Sequence, residues 1–92
     1  MEQLEKAIKE IITKIPADYY FDVHMIIQKL LQDYDDTYLL STENYTATFQ
    51  YHSKISAIIG SNIELIETIN GKSYSKNIHD KFSECNIFKR KK

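Results

Sequence analysis

Ile63-Glu-Leu-Ile-Glu-Thr-Ile69, Asn70-Gly71 and Lys72-Ser-Tyr-Ser-Lys-Asn-Ile78 make up the stretch on which the fold of this chain turns. Asn-Gly is the dipeptide best suited to a type I′ connection, because both central positions of that turn need positive φ, and its twist matches that of the strands it joins. The reading is a two-stranded ribbon over 63–78 with Asn70-Gly71 at its tip. The turn sets the register: Ile69 faces Lys72, Glu67 faces Tyr74, Leu65 faces Lys76 and Ile63 faces Ile78, which leaves one face largely apolar.

Helical periodicity precedes the ribbon. Leu4, Ile8, Ile11, Ile12 and Ile15 recur at steps of four and three residues between charged neighbours, so 2–15 reads as an amphipathic helix that Pro16 ends. Pro16-Ala-Asp-Tyr-Tyr20 supplies a connector. Val23, Ile26, Ile27, Leu30, Leu31 and Tyr34 form a second stripe, with Asp22 as its N-cap and Phe21 placed to pack on Ile26 as a hydrophobic staple. Asp35-Asp36 faces the negative pole of that helix and stops it near Tyr34. Tyr38-Leu39-Leu40 is short, apolar and β-prone, and reads as a brief third strand.

Ser41-Thr-Glu-Asn44 is rich in capping residues. Beyond it Thr48, Tyr51, Ile55, Ile58, Ile59 and Asn62 fall within about 60° of one direction at roughly 100° per residue, so a third helix spans about 45–59. Gly60 then reads as its left-handed carboxyl cap. Pointing away from the stripe are Thr46, Gln50, Ser53 and Ala57, flanked by Lys54 and Phe49, a polar face nearly free of acid. Past Ile78, Phe82, Cys85 and Phe88 suit either a last helical turn or an extended return along the core. Residues 1–88 read as one domain and Lys89-Arg-Lys-Lys92 as a solvated basic tail.

Composition bounds the class. With 92 residues, 42% hydrophobic and 27% charged, the chain has enough apolar content for a single core and none of the bias of a disordered segment. The net charge of −1 hides a division. Residues 1–45 hold four lysines against nine carboxylates, net −5, whereas residues 46–92 hold eight Lys and Arg against four carboxylates, net +4. The basic half suits an anionic partner, although half of its cations sit in the last four residues, where they serve equally as a solubilising tail. A lone Cys85 excludes an intrachain disulfide and fits a reducing compartment, cytoplasmic or nuclear. Neither a signal-peptide pattern nor a membrane-length apolar run is expected.

Catalytic chemistry finds little support. His24, His52, His79 and Cys85 share no metal-ligand spacing, and each reads first as a boundary side chain. Both glycines stand alone, so no phosphate-cradling loop is present, and Asp33-Tyr-Asp-Asp36 does not match a calcium loop. The expectation is a protein that is not an enzyme and takes no cofactor, metal or small-molecule ligand.

The order helix, helix, short strand, helix, Asn-Gly hairpin over residues 2–78 resembles the winged helix-turn-helix superfamily. The expected fold is therefore α+β and winged-helix-like, with three helices packed on a hairpin and a short third strand at 38–40. The resemblance implies a third helix that enters the major groove and a hairpin that touches an adjacent groove or the phosphates. It points to DNA as partner and to Thr46, Gln50, Ser53, Lys54, Lys72 and Lys76 as contacts. Gln suits an adenine edge, Thr and Ser suit bases or phosphates, and lysines displace condensed counterions. The same scaffold also serves as a protein-interaction adaptor, for which Phe49 and Ala57 are the anchors, and a homodimer would double the cationic contacts.

Overall fold

A computed structural model describes residues 2–42 and 48–91. Among these, the order is α1 (Glu2–Lys14), β1 (Tyr20–Asp22), α2 (Val23–Asp33), α3 (Asp35–Thr42), α4 (Thr48–Ser61), β2 (Ile66–Lys76) and β3 (Phe82–Arg90). The fold is α+β: four helices against a three-stranded antiparallel sheet of order β1-β3-β2.

The two leading helices follow their apolar stripes. Leu4, Ile8 and Ile12 of α1 and Ile26, Ile27 and Leu30 of α2 are fully buried, and Tyr51, Ile55 and Ile59 of α4 meet them. Asp22 caps α2 by accepting from the Met25 amide at 2.9 Å. Phe21 and Ile26 both lie in the core. Tyr34 closes α2 as its C-cap.

The third strand lies at 20–22, and residues 38–40 are helical. Asp35 and Asp36 open α3 instead of closing α2 poorly; carboxylates in a first turn face the positive pole of the helix. Tyr38 is buried with its ring centroid 4.9 Å from that of Tyr51, whereas Leu39 and Leu40 are exposed. Gly60 is not a left-handed cap: α4 runs through it to Ser61, and Gly71 alone among the described glycines has positive φ, 145°.

The ribbon is the largest departure from expectation. Asn70-Gly71 lies inside β2, which pairs with β3 on both sides of it. Thr68 faces Phe88 and Lys72 faces Asn86, so β2 carries two more residues than β3 between these pairs, and Gly71 supplies the backbone freedom that this irregularity needs. The expected pairs of Ile69 with Lys72, Glu67 with Tyr74, Leu65 with Lys76 and Ile63 with Ile78 do not form. The actual turn spans 77–81. Asn77 Oδ1 accepts from the amides of His79 and Lys81 at 2.9 and 3.3 Å, and Asp80 takes φ 61°.

The reason is long-range burial: pairing with β3 places Phe88 in the core, its ring 5.8 Å from that of Phe21 and stacked upon it. Residues 79–88 are thus mostly strand, and residues 89–91 are no loose tail. Arg90 ends β3 with Nε donating to the Ile12 carbonyl at 3.1 Å, in the last turn of α1, where a cation offsets the negative pole. Lys91 Nζ donates to the Ile63 carbonyl at 2.7 Å. Among the described residues, no helix is long and apolar enough to cross a membrane.

Candidate functional site

The outer half of the hairpin, β2 from Lys72 and β3 up to Asn86, stands beside α4 and the start of α2. Alternation gives it two faces. Ser73, Ser75, Ser83 and Cys85 point one way and Tyr74, Lys76 and Phe82 the other, while Lys72, bonded to Asn86, sits at the edge next to α4.

The serine face meets the second oxygen of the Asp22 cap. Ser73 and Ser75 hydroxyls donate to Asp22 Oδ2 at 2.7 and 2.8 Å, while Oδ1 holds the helix amide. Burial opposes ionisation of Asp22, but the bonds from Ser73, the Met25 amide and Ser75, with the positive field of His24, together outweigh it and hold the carboxyl below its usual value. An ionised Asp22 accepts only, so Ser75 spends its one proton there. Ser75 Oγ must then accept from His24 Nδ1, 2.8 Å away, which fixes the tautomer and leaves Nε2 facing Ser83 at 3.4 Å. Asn77 Nδ2 donates to Ser83 Oγ at 3.2 Å and closes the chain of bonds.

Between these groups and α4 lies a cleft of about 450 Å³, lined in part by His24, His52, Ser53, Ser56, Lys72 and His79. The partly buried Ile78 gives it apolar surface, with the buried Val23 and Ile27 beneath. Asn86 Nδ2 donates to Ser56 Oγ at 2.8 Å, joining hairpin to helix, and Lys72 Nζ donates to Asn86 Oδ1. His52 Nε2 is 2.8 Å from the Tyr38 hydroxyl. Burial first, then the fields of His24 and His79, push the His52 pKa down, while burial raises that of Tyr38.

The expected contact residues are only partly brought together. Ser53 of α4 and Lys72 of β2 line the same cleft. Gln50, Lys54 and Ala57 are exposed on α4. Lys76 sits farther along the hairpin, with Nζ 3.2 Å from Asp80 and 5.9 Å from the centre of the Phe82 ring, so its charge is shared. Thr46 lies outside the described residues, as does the side chain of Phe49. The basic chain end is directed elsewhere: Arg90 holds α1, and Lys89 lies 3.9 Å from Asp18 and over the Tyr20 ring.

Two features were not anticipated from the residues. One is the link from Asp22 through Ser75 and His24 to Ser83, whose only sequence trace is the alternation of serines at 73 and 75. The other is a stacked pair, Tyr74 and Phe82, 5.7 Å between centroids and 69% and 56% exposed. Among the described residues, no group of three His, Cys, Asp or Glu side chains is placed to hold a metal ion. No protein-family model, curated protein or solved structure matches the chain.

Proposed function

We propose that this protein is a winged-helix-like module that binds duplex DNA, in the cytoplasm or nucleus, through the outward face of α4 and the outer half of the hairpin. The observation that carries the reading is the shared cleft. Ser53 and Lys72 line it from helix and strand, so the two elements present one surface rather than two. α4 holds Gln50, Ser53 and Lys54, three of the residues that the winged-helix resemblance assigns to DNA contact. Gln50 there offers a bidentate partner to an adenine edge, and Lys54 and Lys72 offer charge to phosphates. The reading assigns no catalytic step.

Labelled duplex titrated at several salt concentrations tests this. Affinity falls as salt rises, and Lys54→Glu with Lys72→Glu lowers the slope of log K against log salt by about 2, one for each lost phosphate contact. Affinity that ignores salt, or a slope that ignores both substitutions, contradicts the reading.

A protein-interaction adaptor is the second reading, favoured by the exposed Tyr74–Phe82 stack. Aromatic pairs in the open commonly anchor a partner, and Tyr74→Ser with Phe82→Ser then abolishes capture of a protein partner while DNA affinity stays nil.

A further inference from the structure

All three histidines of the chain reach one cleft, from three separate segments. His24 comes from the first turn of α2, His52 from α4 and His79 from the turn between β2 and β3. Lys72 joins them, and Ser53, Ser56 and Asn86 add neutral polar groups. Among the described lining residues, Glu84 is the one carboxylate and Cys85 the one thiol. Asp22 lies behind His24, its oxygens occupied by Ser73, Ser75 and the Met25 amide, and Tyr38 stands behind His52. Metal coordination does not explain the gathering, since no three such groups among the described residues are arranged around a common point.

We propose that this cleft binds a small phosphomonoester, with its anionic head on Lys72, His24 and His79 and its ester group on Ile78, which overlies the buried Val23 and Ile27. The volume of about 450 Å³ exceeds what a bare phosphate fills and falls in the range of small-ligand sites. The head group meets donors suited to oxyanions. Lys72 offers an ammonium with three donors, and the serine hydroxyls rotate to donate. His24 already carries a proton on Nδ1, bonded through Ser75 toward Asp22. Its other ring nitrogen, Nε2, lies on the Ser83 side. The positive field of His24 and His79 that disfavours charge on His52 is the same field that an anion neutralises. An anion held among imidazoles is attracted more strongly once they are charged, so acidification tightens binding.

This inference does not rest on the DNA reading, although Ser53 and Lys72 serve both, so that a bound phosphomonoester displaces duplex. The histidine ring resonances of the full chain, followed by NMR during titration with phenyl phosphate and with sulfate at constant ionic strength, provide the test. Sulfate is needed because it stays dianionic, whereas a phosphomonoester itself takes up a proton near pH ~6. Sulfate binds about tenfold more tightly at about pH 6 than at about pH 8. Phenyl phosphate binds more tightly than inorganic phosphate at either pH, because of the apolar floor. Lys72→Ala and His79→Ala, both at exposed positions that leave the core intact, each weaken binding several-fold. Lys54→Glu lies outside the lining and weakens duplex binding without weakening phenyl phosphate. Unmoved histidine resonances, equal sulfate affinity at both pH values, or indifference to Lys72→Ala and His79→Ala overturns the proposal, whatever the outcome with DNA.

Discussion

The two ends of the β2–β3 hairpin are held by different physics. At the root, Ile66 and Phe88 are 2% and 3% exposed, and Arg90 ties the strand end to carbonyls of Ile12 and Leu65. At the outer end Ile78 and Cys85 are only partly buried against the core, and attachment runs largely through polar groups: Ser73 and Ser75 on Asp22, Ser75 and Ser83 on His24, and Asn86 on Ser56. Gly71, at φ 145°, lies in the irregular stretch between the two ends. Apolar burial is indifferent to protonation, but hydrogen bonds to an ionised carboxylate and an imidazole are not. The root is therefore a fixed support, and the outer end is the part whose position and charge respond to solution conditions.

The sharpest way to break this contrast is at the root. Phe88→Ala removes a buried ring stacked on Phe21 and costs about 3–5 kcal/mol, measurable by denaturant unfolding. Asp22→Ala acts at the outer end and costs less, about 2 kcal/mol, from a lost N-cap and two serine hydroxyls left without their acceptor. Hydrogen exchange separates the two: Asp22→Ala speeds exchange in the outer hairpin and first turn of α2 while the amides near Ile66 and Phe88 stay protected.

Acid gives a graded version of the same experiment. The His52 pKa is depressed in the folded protein, so its contribution is fully present above the unfolded value of 6.5 and is lost as pH falls through the folded value. Asp22 behaves likewise from 3.8 downward, because its folded value also lies below the unfolded one. Unfolding free energy measured against pH falls first below about 6.5, and His52→Gln flattens that first decline.

The smallest effect expected has a diagnostic sign. Gly60 is helical, and a Cβ there meets only Phe88 Cε1, at an ordinary 4.0 Å. Gly60→Ala therefore stabilises by about 0.5–1 kcal/mol in thermal unfolding. A left-handed Gly60 would give a loss.

These features also mark what the residues could and could not disclose. The spacing of Leu4, Ile8, Ile11 and Ile12, the stop at Pro16 and the cap at Asp22 are local signals, and the local structure obeys them. Asp35-Asp36 was ambiguous because a carboxylate pair that ends one helix badly begins another well. Tyr20–Asp22 is too short for any period to show, and it is a strand only because β3 lies beside it. Asn70-Gly71 misled for the opposite reason. Its turn propensity is strong, but closing there would forgo pairing with residues 82–90 and the burial of Phe88. At the candidate site, Ser53 and Lys72 were legible as an exposed polar residue and a ribbon lysine. The convergence of His24, His52 and His79 was not, since it exists only once α2, α4 and the hairpin are packed.

The proposed binding surface makes one claim that joins the two ends of the hairpin to function: duplex DNA touches the outer end and α4 and leaves the root alone. Backbone amide shifts recorded during a duplex titration at low salt test it directly. The expected result is perturbation concentrated at 50–57, 72–76 and 82–86, fading as salt is raised. Perturbation centred on α1 and residues 88–91, or no shift at low salt, contradicts the account.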